Sequence, residues 1–165
     1  VQAKKYLQRV VLAACPEEVG FEDWEKVYDM MAERLFLKAY SKGDLSSDLM
    51  LGQLYADDAT ALYDLEKSFI WLNRTMLRDN YRDNKLAARL LGGNYLSLEV
   101  PDYYKAAKWY HSAADMDDAH SQYMLGILYE TIAKNKKTAL KYYLLASKNK
   151  YPGAKDSYQI LLNTM

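Results

Sequence analysis

Apolar and small residues recur along this chain at helical spacing, and one arrangement of them returns three times. The segments are Ser47-Asp48-Leu49-Met50-Leu51-Gly52-Gln53-Leu54-Tyr55, Ala87-Ala88-Arg89-Leu90-Leu91-Gly92-Gly93-Asn94-Tyr95 and Ser121-Gln122-Tyr123-Met124-Leu125-Gly126-Ile127-Leu128-Tyr129. Each reads small-x-x-x-Leu-Gly-x-x-Tyr, and the glycines stand 40 and then 34 residues apart. A second pattern follows each of them: Lys67-Ser68-Phe69-Ile70-Trp71-Leu72, Lys105-Ala106-Ala107-Lys108-Trp109-Tyr110 and Thr138-Ala139-Leu140-Lys141-Tyr142-Tyr143. The middle copy runs on to Ala113-Ala114 and the last to Ala146-Ser147. A fixed period of this length is the mark of a repeat architecture in which each unit is a pair of helices. We call the first helix of each pair A and the second B.

At about 100° per residue, with Gly at zero, the Leu before it falls near 260°, the Tyr after it near 300° and the small residue near 220°. These positions form one arc, the packing face of A. Gly inside a helix costs about 1 kcal/mol relative to Ala, so its return at one register predicts a steric purpose. The B helix of the same pair approaches there, with Ala106 and Ala113 serving the same end from the other side. Trp71, Trp109 and Tyr142 are expected to fill space between neighbouring pairs. No run alternates with period two, so no strand is predicted.

Half-repeats flank the three units. Ala32, Leu35-Phe36, Ala39 and Gly43 align with Ala106, Trp109-Tyr110, Ala113 and Asp117, and Tyr151-Pro152-Gly153-Ala154 opens a last A-like helix to about Leu162. Terminal units that depart from the pattern suit capping. Gly43 suits a helix C-terminus, Pro101 the opening of a B helix with Asp102 in its first turn, and Pro152 the opening of the last helix. The expected organisation is one domain over 1–165, with N-terminal helices and a half-repeat at 1–43, repeats at 44–80, 81–117 and 118–150, and a capping helix at 151–165. About nine helices result.

The Leu-Gly-x-x-Tyr segment followed by Lys-Ala-x-x-Trp-Tyr-x-x-Ala-Ala resembles the Sel-one-like repeat of the tetratricopeptide superfamily. The resemblance spans roughly residues 29–162 and is strongest at 102–129. The chain departs from the pattern at Asn73-Arg74-Thr75-Met76, where the family has paired alanines, and at Asp117, where it has Gly. Residues 1–28 match none of it and are expected to form helices covering the first unit. The resemblance implies an all-α, right-handed superhelical solenoid of antiparallel helix pairs, a non-catalytic scaffold or adaptor that binds a protein or peptide on a concave face lined by A helices. Relatives also include bacterial immunity proteins, so blocking a secreted toxin or effector by covering its active site is the alternative, and bacterial cytoplasm or periplasm the expected location.

The A-helix arc left free by packing lies at about 40–140° on the same wheel. It holds Leu49, Gln53, Ala56 and Asp57, then Arg89, Gly93, Leu96 and Ser97, then Tyr123, Ile127, Glu130 and Thr131. Gln53, Asp57, Arg89, Leu96, Tyr123, Ile127 and Glu130 are the candidate partner-binding residues.

The charge sum sharpens this picture. Lys and Arg number 22 and so do Asp and Glu, which argues against a general nucleic-acid binder relying on a basic surplus. The zero is a sum of unlike ends. Pro16 to Glu33 holds seven acids and one Lys, and Thr131 to Met165 holds seven Lys and one Asp. Such ends predict docking of an oppositely charged partner or self-association.

No catalytic residue, cofactor or metal site is predicted. Ser147-Lys148-Asn149-Lys150 has a nucleophile spacing without its companion motifs. His111 and His120 lack zinc-ligand spacing, and Asp115-Met116-Asp117-Asp118 lacks the Gly and Glu that a calcium loop requires. Cys15, the one cysteine, has no basic activator in sequence. No apolar run reaches the roughly 18 residues of a spanning helix. Leu12-Ala13-Ala14-Cys15 has the letters of a lipoprotein cleavage box, but Gln8 and Arg9 interrupt the apolar stretch such a signal requires. An amphipathic helix over about 2–14, ending at Pro16, is expected instead.

Overall fold

A computed structural model of the chain describes residues 21–164, and side chains from Glu25 onward. The helix expected over 2–14, the box ending at Cys15 and the first four acids of the acidic segment lie outside the described residues or side chains. The described residues form eight helices and no strand. They are α1 (Phe21–Ser41), α2 (Ser47–Ala56), α3 (Leu65–Met76), α4 (Tyr81–Leu96), α5 (Tyr103–Ala114), α6 (Ala119–Thr131), α7 (Lys136–Lys148) and α8 (Ala154–Asn163). Helices α2, α4 and α6 are the predicted A helices, and α3, α5 and α7 the B helices. Residues 21–28, expected to belong to a separate covering element, instead continue into the half-repeat as the first turns of α1.

The chain divides into two compact units, one ending at Arg74 and the other beginning at Thr75. In the first, α1 packs on α2, and Leu49, Leu51, Tyr55 and Leu72 are buried. In the second, successive helices from α4 to α8 pack on one another in antiparallel-like pairs. Its core holds Leu91, Tyr110, Leu125 and Tyr143, with Ala87, Ala106, Ala113, Ala139 and Ala146 wholly buried.

The three glycines do what their register predicts. A methyl group on Gly52 would lie 2.5 Å from Leu72 Cδ2, one on Gly92 2.8 Å from the Tyr110 ring, and one on Gly126 2.5 Å from the Tyr143 ring. Each pair thus seats a large B-helix side chain in a notch left by glycine, and the gain in packing offsets the glycine's cost in the helix. The small residue five before each glycine, Ser47, Ala87 or Ser121, is buried beside it.

The joints repeat as closely as the packing. The backbone N–H of Asp64 donates to the Tyr55 carbonyl (2.9 Å), that of Asp102 to Tyr95 (2.9 Å) and that of Asn135 to Tyr129 (2.7 Å). The same three side chains accept from the third residue of the following B helix, Lys67, Lys105 and Thr138. These backbone bonds hold the carboxyls of Asp64 and Asp102 below the ordinary carboxylate range, with Lys67 and Lys105 adding to the effect. Asp102 is therefore the cap, and α5 opens at Tyr103 rather than at Pro101.

At the far end of the B-type helices a second joint recurs. Gly43 (φ 83°), Asp117 (φ 57°) and Lys150 (φ 61°) are all left-handed. Each donates its N–H to the carbonyl three residues back, and the following residue donates to the carbonyl five back, the pairing of a Schellman cap. The alignment of Gly43 with Asp117 thus holds in the backbone as well as in the sequence. Pro152 does not begin α8, because Gly153 after it sits at φ 76° and the helix starts at Ala154.

Candidate partner-binding surface

The candidate residues fall in both units. In the first, Gln53 and Asp57 are exposed. Asp57 ends α2 and accepts the Ala59 N–H on its carboxylate (3.0 Å). Leu49, which shares their arc, is core at 3% exposure. Packing therefore claims more of this arc than the wheel allowed.

In the second unit the candidates are half-buried and joined to neighbours. Asp118 caps α6, one carboxylate oxygen accepting from the Ser121 N–H (2.8 Å) and hydroxyl (2.7 Å). Its other oxygen lies 3.5 Å from Arg89 Nη1. His120 stands beside this pair, edge-on to Tyr151 at 5.7 Å, and its pKa is pushed down by burial and then by the Arg89 charge. Burial holds the Tyr110 hydroxyl up at about 12. Tyr123 stacks on Tyr151 at 4.7 Å, leans on Tyr143 at 5.5 Å and shares a hydrogen bond with Ser157 (3.2 Å).

Ile127 packs into the cluster around Tyr143 and Leu161, and Leu96 into that around Tyr110 and Leu125. Glu130 accepts from the Tyr143 hydroxyl (2.7 Å), and burial followed by this bond raises the Tyr143 pKa well above its ordinary value. Arg89, Tyr123, Ile127 and Glu130 thus join helices together as well as forming a surface. Tyr151, His120 and Ser157 belong to the same surface and were missed, because they lie off the A-helix registers or in the departing last unit.

The charged ends also carry internal contacts. Asp29 is buried and accepts the Ala61 N–H (3.0 Å), and Glu33 accepts from the Tyr55 hydroxyl. At the basic end Lys136 donates to the Thr164 carbonyl (3.0 Å). Among the described residues no helix is long and apolar enough to cross a membrane.

A different feature of the second unit escaped the sequence reading. A groove of about 350 Å³ opens between the first turns of α5 and the end of α6, lined by Tyr103, Tyr104, Ala107, Leu128, Tyr129 and Ile132. Tyr104 is 82% exposed. Behind it, His111 shares hydrogen bonds with Tyr129 and Tyr142, both at 3.1 Å, and the two tyrosine rings lie parallel at 5.5 Å. Burial, followed by opposing effects of Asp115 and Lys141, leaves the His111 pKa below its ordinary value.

No protein-family model, no curated protein and no solved structure matches this chain.

Proposed function

We propose that this chain is a non-catalytic scaffold of the Sel-one-like repeat kind, a superhelical array of helix pairs that binds a protein partner along its A-helix face. One observation carries the reading. The packing registers repeat while the outward registers do not. Gly52, Gly92 and Gly126 each form the same notch, but the residue after them is Gln, Gly or Ile, and the residue five after them is Asp, Ser or Thr. A constant frame under a varied surface is the arrangement that repeat proteins use for recognition.

The test is affinity capture from the source cells on immobilised chain, compared with Gln53→Arg and Arg89→Ala. Both sites retain solvent access, and circular dichroism checks that the variants fold. Recovery of a specific partner should fall about tenfold if these side chains touch it. Equal recovery by folded variants removes the A-helix face from the interface.

A further inference from the structure

The groove between α5 and α6 lies where the repeat breaks its own rule. In the first pair Lys67 Nζ sits 5.2 Å from the centre of the Tyr55 ring, and in the second Lys105 Nζ sits 5.3 Å from that of Tyr95. Both lysines are the third residue of a B helix, and each also pairs with the capping Asp. The third pair has Tyr129 in place of those tyrosines, but Thr138 in place of the lysine and Asn135 in place of the aspartate. A threonine carries no cation to lay over the ring. Tyr129 is instead a wall of the open groove.

Part of the groove's lining is open to solvent. Tyr103 and Ile132 are partly exposed and Tyr104 largely so, and an apolar patch with an aromatic recess and a polar border is the form of an interaction site. Lysines outnumber acids in the segments that border it, 99–108 and 128–137. Lys108 follows the lining residue Ala107, Lys134 follows the end of α6, and Lys137 stands in the first turn of α7. All three are exposed. Of the neighbouring acids, Asp102 pairs with Lys105, Glu130 accepts from the Tyr143 hydroxyl and Glu99 is exposed. The first turn of α7 has no acid and two lysines, set against the positive end of the helix dipole, where cations are disfavoured. Lys136 is used on the Thr164 carbonyl, and Lys137 adds positive potential at this end of α7.

We propose that this groove seats a large aliphatic or aromatic side chain from an acidic peptide segment of a partner protein, with Lys108, Lys134 and Lys137 facing its carboxylates. The assignment rests on the scaffold reading but names a second surface, separate from the A-helix face, and the chemistry of what binds there. The tyrosines supply broad, rigid contact area and the lysines supply steering and selection against basic segments.

A phage-displayed library of random peptides, each about twelve residues long, panned on the full chain tests this directly. Enriched peptides should combine Asp or Glu with Leu, Ile, Met or Phe. A synthetic copy of the most enriched peptide should bind about tenfold more weakly to Tyr104→Ala and Ile132→Asp, and severalfold more weakly to the double variant Lys108→Glu, Lys137→Glu. All four positions are exposed, so these variants should keep the wild-type helical circular dichroism. Gln53→Arg should leave this binding unchanged. Enrichment of basic peptides, or binding indifferent to Tyr104→Ala and Ile132→Asp, overturns the proposal. Binding that responds to Gln53→Arg and Arg89→Ala instead would overturn the groove while leaving the scaffold reading intact. Absence of enrichment at either surface would sink both. Sedimentation of the chain alone gives a further check: a dimer dissolved by Ile132→Asp would assign the groove to a second copy and overturn the peptide proposal.

Discussion

The first and third helix pairs are built on the same notch and fill it differently. Gly52 receives Leu72, whose side chain asks nothing of its surroundings beyond space. Gly126 receives Tyr143, whose ring fills the notch while its hydroxyl reaches Glu130 at 2.7 Å. One backbone device therefore accepts either a purely apolar filler or a filler that also fixes a polar partner on the outer part of the A helix. The glycine sets how closely the helices approach. The residue that enters the notch decides whether the pair is held by packing alone or also by a directed bond.

The largest expected effect comes from closing the notches. A methyl at position 126 meets the rigid Tyr143 ring, and moving that ring strains its bond to Glu130. A methyl at position 52 meets the end of a flexible Leu72, although the Leu72 backbone nitrogen at 3.2 Å limits the relief. Gly126→Ala should therefore cost about 2 kcal/mol and Gly52→Ala about 1 kcal/mol, after the gain in helix propensity is counted. Urea unfolding of the two variants measures the gap, and equal losses would mean that the filler's rigidity does not matter.

A smaller effect separates the two units by pH. The two histidines of the chain, His111 and His120, both lie in the second unit. Burial leads in holding each below its ordinary value of 6.5. The folded state therefore takes up protons less readily than the unfolded chain. Their contribution is intact above pH about 6.5 and is lost as pH falls through the lower folded values. Melting temperature should decline between about pH 7 and pH 5. Imidazole resonances followed by NMR should titrate below 6.5, and ordinary titration at both sites would refute the linkage.

The smallest effect concerns the left-handed caps. Asp117 and Lys150 occupy the conformation that Gly43 adopts without a side chain. Lys150→Gly should raise stability by about 0.5–1 kcal/mol and Asp117→Gly by less, because Asp tolerates this region better than Lys. Gly43→Ala should lower it by about 1 kcal/mol. Thermal melts of the three variants should give these opposite signs.

Much of the fold was legible because its helices repeat a steric argument. Gly-x-x-Tyr at one register announces a close approach, and Ala106, Ala113 and Ala146 announce the facing surface. The alignment of Ala39 and Gly43 with Ala113 and Asp117 carried the C-terminal cap across units, even with Asp in place of Gly. Helix starts were less legible. Proline marks the neighbourhood of a start, but Asp102 takes the cap by accepting the Lys105 N–H, and Gly153 turns left-handed before α8 can begin. Which positions of the A-helix arc stay open was only partly legible. A helical wheel treats each helix alone, whereas Leu49 and Ile127 are covered by other helices, and Arg89 and Glu130 are claimed by Asp118 and Tyr143. The α5–α6 groove was hidden for the same reason: its walls come from helices of different repeats, so no single period contains it.

The joint between each A helix and its B helix has one more consequence. The intervening linkers differ, with eight residues after α2, six after α4 and four after α6. Each nevertheless ends in the same bond from a capping residue's N–H to a tyrosine carbonyl. Linker length is thereby uncoupled from helix register. Doubling a flexible loop adds only about 0.6 kcal/mol of closure cost, so residues can be gained or lost there while the two helices meet at the same place. These three linkers are where insertions can accumulate, and where a foreign loop can be grafted without retuning the packing beneath it.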